Sequence, residues 1–244
     1  MILLADCGNS ALKTARCDSH GRLSGRRRLD APPTTLAATL DAAGMGEGAE
    51  ALVLLPGNQA RADVVAAWWR RCAGGRPLRR AGDGLPLPDL GQYPGCGADR
   101  VLAGWAAVRT HARDLVVIDA GTATTLGAWR RVDGAARFLG GLILPGAHAC
   151  LAGLAAQAPA LPVVEPGDVD DDPLQRDTCV AISAAIGIGY PALVRACADR
   201  LGAATGIAAR CLTGGDATRL AEDLGVTPEP DLVLHGLALL ATGA

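Results

Sequence analysis

Lysine is almost missing from this chain. Of its 23 basic residues only Lys13 is a lysine. A drift from lysine to arginine points to a GC-rich genome, and a lysine kept against it marks a position that can use a compact ammonium rather than a planar fork. Aromatics are scarce as well, at 3% with one Phe, so Ala, Leu and Val must fill the core. Neither sign of charge dominates. A net charge of -2 argues against a general nucleic-acid binder or a protein drawn to anionic membranes. No long apolar run stands out. The opening one is broken by Asp6 too soon for a signal peptide, and none approaches the roughly 20 residues of a membrane-crossing helix. The eight cysteines contain no CxxC pair, so neither a zinc ribbon nor a small disulfide scaffold is expected. They read as reduced thiols of a cytoplasmic protein. What remains is a chain of 244 residues, 50% hydrophobic and 20% charged, enough for one large or two small globular domains.

The chain is organised around its opening stretch, Ile2 to Lys13. A short apolar strand (2–6) delivers Asp6 into the turn Cys7-Gly8-Asn9-Ser10, and a second strand returns over 12–17. After a turn at Asp18 to Gly21, residues 22–29 form a polar third strand, which completes a hairpin meander. A short helix is expected over 35–43 after Pro32-Pro33, a buried strand over 51–55, and a helix from Asn58 through Cys72. Trp68 and Trp69 are adjacent in that helix and cannot both face one way, so one of them is a candidate for an interface. Residues 74–98 read as loops around a short strand near 77–80. From Asp99 the pattern is helical, with the carboxylate at the end whose dipole favours it.

The opening then recurs. Leu115 to Ala123 is again strand, Asp119, any residue, Gly121 and a small polar Thr122, followed by a second and a third strand. A repeat of a whole supersecondary unit places a boundary near residue 114, giving domains 1–113 and 114–244. Later elements are a helix over 147–158, an acidic loop over 165–172 read as solvated surface, a helical stretch over 176–201 interrupted at Gly187 to Pro191, a strand over 208–212 running into Thr213-Gly214-Gly215-Asp216, a further helix, and a last one over 231–241. His20, His111, His148 and His235 show no metal-ligand spacing.

Two strand tips of the form Asp-x-Gly followed by a small polar residue suit nucleotide phosphates. Glycine lets backbone N–H groups approach the oxygens, and a carboxylate holds magnesium through water. Asp99 at a helix start, with Arg100 beside it, reads either as a helix-start aspartate with a surface arginine or as a general base with an anion-holding partner. Spacing alone favours the former.

The set of motifs resembles the type III pantothenate kinases, a family of the acetate-kinase, sugar-kinase, Hsp70 and actin superfamily. The matching stretches are DCGNSALK at 6–13, GADR at 97–100, DAGTATT at 119–125, GGLILPG at 140–146, Thr178 before an alanine-rich helix, and TGGDA at 213–217. The resemblance implies an α/β fold of two ribonuclease-H-like, actin-like ATPase domains with a cleft between them. It implies ATP-dependent phosphorylation of pantothenate, the first step of coenzyme A synthesis. ATP would be contacted by Asp6, Cys7, Gly8, Asn9, Ser10, Ala11, Leu12, Lys13 and Thr122. Pantothenate would be contacted by Tyr93, Gly97, Ala98, Asp99, Arg100 and Thr178, with Asp99 as the catalytic proton acceptor. Asp6 would hold Mg2+ through water and Asp119 a monovalent cation, K+ or NH4+. A homodimer is implied, with neither nucleic acid nor membrane as a partner. The chain departs from the family pattern in three places: Tyr93 stands only four residues before Gly97, Gly127 stands where an acidic residue is common, and Ala185 where glycine is common. Two other readings stay open: another small-molecule kinase of the superfamily, or a non-catalytic ATP-binding accessory or regulatory protein.

Overall fold

A computed structural model describes residues 1–165 and 172–243. The chain forms two compact units, one of residues 1–110 with 231–244 and one of residues 111–230. The first opens with β1 (Ile2–Cys7), β2 (Leu12–Cys17) and β3 (Leu23–Leu29). It continues through α1 (Pro33–Ala42), β4 (Ala51–Leu55), α2 (Gln59–Cys72), β5 (Leu78–Ala81), β6 (Gly84–Leu85) and α3 (Ala98–His111), whose last residue counts with the second unit. The second unit carries β7 (Leu115–Ala120), β8 (Ala123–Val132), β9 (Ala135–Pro145), α4 (Ala147–Gln157), α5 (Thr178–Thr205), β10 (Arg210–Thr213) and α6 (Ala217–Leu224). The closing helix α7 (Leu232–Thr242) belongs to the first.

The repeat read from the sequence is visible in the sheets. The first has the order β3-β2-β1-β4-β5-β6 and the second β10-β7-β8-β9. In each, the leading strand pairs antiparallel with the next strand in the chain and parallel with a later one: β1 with β2 and β4, β7 with β8 and β10. Alternation assigns the faces. Leu3, Ala5 and Cys7 of β1 join Leu36, Leu40, Val65 and the two tryptophans in the core under α1 and α2. Val116, Ile118 and Ala120 of β7 join Tyr190, Val194, Leu220 and Leu224 under α5 and α6. Asp6 and Asp119 occupy the same place in their strands, one residue before the end, and both project from the face opposite those helices.

Local signals account for the helix starts. Pro33 takes the first position of α1, where no N–H is needed. Asn58 caps α2 by accepting the Arg61 N–H at 3.0 Å, and Asp177 caps α5 by accepting the Val180 N–H at 3.1 Å.

The structure departs from the sequence expectations at several points. The sequence places the last helix in the second half, with a boundary near 114. Instead α7 packs on β1, β2 and β4, with Gly236 against Leu102 of α3. Its own side chains are apolar on nearly every face, so it completes a core rather than capping a surface. The expected break at Gly187 to Pro191 is absent, and α5 runs continuously with Pro191 inside it. Burial of Tyr190 and Pro191 holds the segment in place. Joined in this way, α5 is long and apolar enough by composition to cross a membrane, contrary to the expectation that no segment is. Only 22% of its most apolar window is buried. Both tryptophans are interior. The Trp68 indole N–H donates to Asp41 at 2.8 Å and the Trp69 indole to the Pro77 carbonyl at 3.1 Å. Of the acidic loop, Asp168, Asp170 and Asp171 lie outside the described residues. Asp172 accepts the Leu174 N–H at 2.8 Å.

Leu237 of α7 is fully buried. Leu237→Ala is expected to cost about 3 kcal/mol of the stability of the first unit, measured by urea denaturation. A loss below about 0.5 kcal/mol would mean that α7 is not part of that core.

Candidate active site

The first strand tip is held from below. Cross-strand pairing sets Asp6 directly opposite Lys13, so carboxylate and ammonium share one face of the sheet. Asp6 is buried and Lys13 half-buried, while Asn9 and Ser10 at the turn are exposed. Cys7, Ala11 and Leu12 point into the core, so a ligand at this tip meets those three through their backbone. Burial, with the Asp6 charge adding to it, pushes the Cys7 thiol up to about 12. The N-terminus of α2 braces the turn. The Asn58 N–H donates to the Cys7 carbonyl, and the Asn58 amide donates to Asn9 Oδ1 at 3.1 Å. The buried Arg61 guanidinium donates to the carbonyls of Ala31 at 2.6 Å, Asn9 at 3.4 Å and Ser10 at 3.5 Å. Asn58 and Arg61 fix the tip, although in the sequence Asn58 reads only as a helix start and Arg61 as one arginine among many.

The start of α3 gathers the residues expected to meet the acceptor. Asp99 is exposed, and its carboxylate accepts the Arg100 N–H at 2.8 Å. The Asp99 carboxylate lies over Gly97, so a side chain at 97 would push it aside. Arg100 is buried and donates to the Tyr93 hydroxyl at 2.7 Å, with the guanidinium over the tyrosine ring at 6.0 Å from its centroid. Tyr93 and Arg100 therefore meet despite the short interval between Tyr93 and Gly97.

The second tip is enclosed by backbone. Asp119 is half-buried and Thr122 exposed. The Gly146 N–H donates to the Thr122 carbonyl at 3.1 Å, and a side chain at 146 would strike Gly121. Gly214, at φ +104, presses on the backbone of Ala120, and the Asp216 N–H donates to the Ala120 carbonyl at 2.9 Å. Behind the tip, the hydroxyls of Thr124 and Tyr190 share a buried hydrogen bond of 2.6 Å. Burial raises the Tyr190 phenol, so it stays neutral and able to donate. Thr178 stands apart on α5, in a cavity of about 470 Å3 with Leu154, Gln175, Asp177, Ala181 and Ile182. A second cavity of about 360 Å3, between Asp41, Met45, Trp68 and Cys72, contains none of the expected residues.

Residues 2–200 match the family described as type III pantothenate kinase. The chain is 33% identical over 242 residues to the type III pantothenate kinase of Porphyromonas gingivalis, covering 96% of this chain and 95% of that protein. It is 33% identical over 161 residues to the Paracoccus denitrificans enzyme of the same name, a match covering 64% of this chain and 59% of that one. The chain belongs to the type III pantothenate kinase family. A solved structure of a conserved Baf family protein from Campylobacter jejuni shares the fold at 21% identity, with a TM-score of 0.60 over 99% of this chain and 98% of that one. The fold is the expected actin-like one, with a ribonuclease-H-like sheet in each unit.

One departure from the type III pantothenate kinase pattern has a steric origin. The Trp129 indole lies over Gly127, its Nε1 2.7 Å from where a Cβ would stand, so an acidic side chain at 127 would collide with it. In this member of the family the Trp129–Phe138 pair, 4.9 Å between ring centroids, occupies that space.

All eight cysteines are unpaired, and they differ in access. Cys72 and Cys179 are expected to react with a thiol reagent at neutral pH. Cys7 and Cys17 are expected to stay protected until denaturant is added, because burial withholds both access and the thiolate. Mass spectrometry of timed labelling reads this out, and early labelling of Cys7 would contradict its place beneath the tip.

Proposed function

We propose that this chain transfers the γ-phosphate of ATP to the primary hydroxyl of pantothenate, giving 4'-phosphopantothenate. Membership of the type III pantothenate kinase family over residues 2–200 carries the reading. The arrangement at the start of α3 supports it. Phosphoryl transfer to an alcohol needs a carboxylate at the attacking hydroxyl and fixed positive groups for anions. Asp99 takes the hydroxyl proton or orients it. Arg100, steadied by Tyr93, holds the pantothenate carboxylate by a forked hydrogen bond. Gly97 and Ala98 line the acceptor, and Thr178 contacts it as well.

On the nucleotide side, residues 6–13 and Thr122 contact ATP through backbone N–H groups and hydroxyls. Lys13, opposite Asp6, neutralises phosphate charge. The donor chemistry fits the ions the family implies. Asp6 offers a buried carboxylate that would hold Mg2+ through water. Asp119 offers a half-buried carboxylate, a hard oxygen donor suited to K+ or NH4+. Bound cations supply charge screening along the triphosphate.

The protein acts as a homodimer in this reading. Val180, Ile188 and Leu193 of α5 and Leu142 and Ile143 of β9 are large, apolar and exposed in the single chain, as an interface with a second copy requires. Ile188→Arg is expected to shift the mass measured by light scattering from two chains to one. A dimer that persists through Ile188→Arg and Leu193→Arg together would place the interface elsewhere.

A coupled assay of ADP release tests the activity. Turnover is expected to require pantothenate and to rise with K+ or NH4+. Asp99→Asn is expected to lower kcat by at least about a hundredfold while ATP still binds by calorimetry. ADP release indifferent to pantothenate would point to another acceptor or to an accessory role. Full turnover in Asp99→Asn would remove Asp99 from the mechanism.

A further inference from the structure

Three side chains from distant parts of the sequence meet in the second unit. His111 is its first residue, Cys211 is the second residue of β10, and Glu229 lies just before the chain leaves at Pro230. His111 Nε2 and Glu229 Oε1 are 2.7 Å apart, and the Cys211 thiol donates to the same oxygen at 3.3 Å. The three donor atoms lie within 4.8 Å of one another. Glu229 is itself fixed, since its N–H donates to the Leu212 carbonyl at 2.7 Å next to the bridge between Leu212 and Pro228. Cys211 is fully buried, whereas the His111 and Glu229 side chains are 26% and 32% exposed. The cluster is thus closed behind the sulfur and open to water in front.

A buried cysteine in a strand ordinarily packs as a small apolar group. This one aims at a carboxylate. Sulfur, imidazole nitrogen and carboxylate oxygen together form the donor set of zinc, and a thiolate with a carboxylate cancels its charge. Bond lengths to zinc put neighbouring donors of a tetrahedral centre about 3.4 to 3.6 Å apart. The observed 3.3 Å from sulfur to oxygen is already close to that, and the 2.7 Å from nitrogen to oxygen has to open by less than about 1 Å, within the reach of two half-exposed side chains. As the ion binds, the sulfur–hydrogen bond breaks, the proton passes to solvent and a sulfur–zinc bond forms.

We propose that His111, Cys211 and Glu229 form a zinc site with a water as fourth ligand. The site staples the two points at which the chain enters and leaves the second unit. It also anchors β10, which carries Thr213 and Gly214 to the second tip. Closing so long a segment removes conformations from the unfolded chain, so zinc stabilises the fold.

Cobalt is the probe. The full-length protein, reduced and stripped with chelator, is expected to take up one Co2+ per chain. Binding should bring thiolate-to-cobalt absorption in the near ultraviolet and the visible bands of a tetrahedral centre, both lost on adding Zn2+. Cys211→Ser is expected to abolish the near-ultraviolet band. Glu229→Gln and His111→Gln are each expected to weaken binding at least tenfold and to erase the rise in melting temperature that zinc gives the unsubstituted protein. Replacing the exposed Cys72 and Cys179 by serine should change none of this. If Cys211→Ser fails to fold, the half-exposed Glu229→Gln decides by itself. No cobalt spectrum in the unsubstituted protein, or unchanged binding in Glu229→Gln, overturns the site.

Discussion

The register of a leading strand between its two neighbours is the constraint on which the rest of the structure depends. β1 is pinned by β2 on one side and β4 on the other, and β7 by β8 and β10. Pairing on both sides consumes the backbone groups along the strand. Alternation then fixes where the carboxylates go. Leu3, Ala5 and Cys7 must face the helices, so Asp6 must face away; Val116, Ile118 and Ala120 impose the same on Asp119. A slip of one residue would drive each carboxylate into a helix-packed core, where an unpaired charge costs several kcal/mol. The hydrophobic pattern that folds the sheets therefore also aims the acidic groups.

The two copies hold their tips by different means. Side chains brace the first, through Asn58 and the buried Arg61 beneath Asn9 and Ser10. Backbone encloses the second, with Gly146 and Gly214 lying so close that neither position admits a Cβ. A tip hemmed by main chain is stiff whatever side chains surround it. One braced by an arginine can be loosened by a single substitution. The duplicated architecture has kept its topology while the local supports diverged.

Much of this was legible in the sequence because it is local. The short apolar runs around Leu4 and Val117, the turns after Asp6 and Asp119, and the helix start at Asn58 all lie within a few residues of what they determine. Remote partners were not legible. Nothing distinguishes Arg61 from the other arginines until α2 lies under the first turn. Nothing in Gly187 to Pro191 announces that Tyr190 will reach Thr124, so the glycines and proline read as a break in a helix that is unbroken. The sequence reads as a helix over 231–241, but that reading carries no information on which sheet α7 covers. The contacts expected of individual residues with ATP and pantothenate rest on family motifs, and the geometry bears on them only through access, as where Cys7 turns its thiol away from the tip.

The path of the chain explains why the ends of the second unit must be held together. Residues 111–230 interrupt a unit that resumes at residue 231, and α7 supplies apolar surface that β1, β2 and β4 would otherwise expose. A segment inserted in this way is tolerated only when its two ends lie close together, since the host must close on either side of it. Here the closeness is enforced by named groups: the first residue of the insert, His111, is bonded to Glu229, and Glu229 is bonded through its backbone to β10. Because β10 runs parallel beside β7, that attachment ties the exit of the insert to the strand that carries Asp119. The neck and the second tip are thus two ends of one short β-ladder, and a force that opened the first would be felt at the second through Cys211, Leu212 and Thr213.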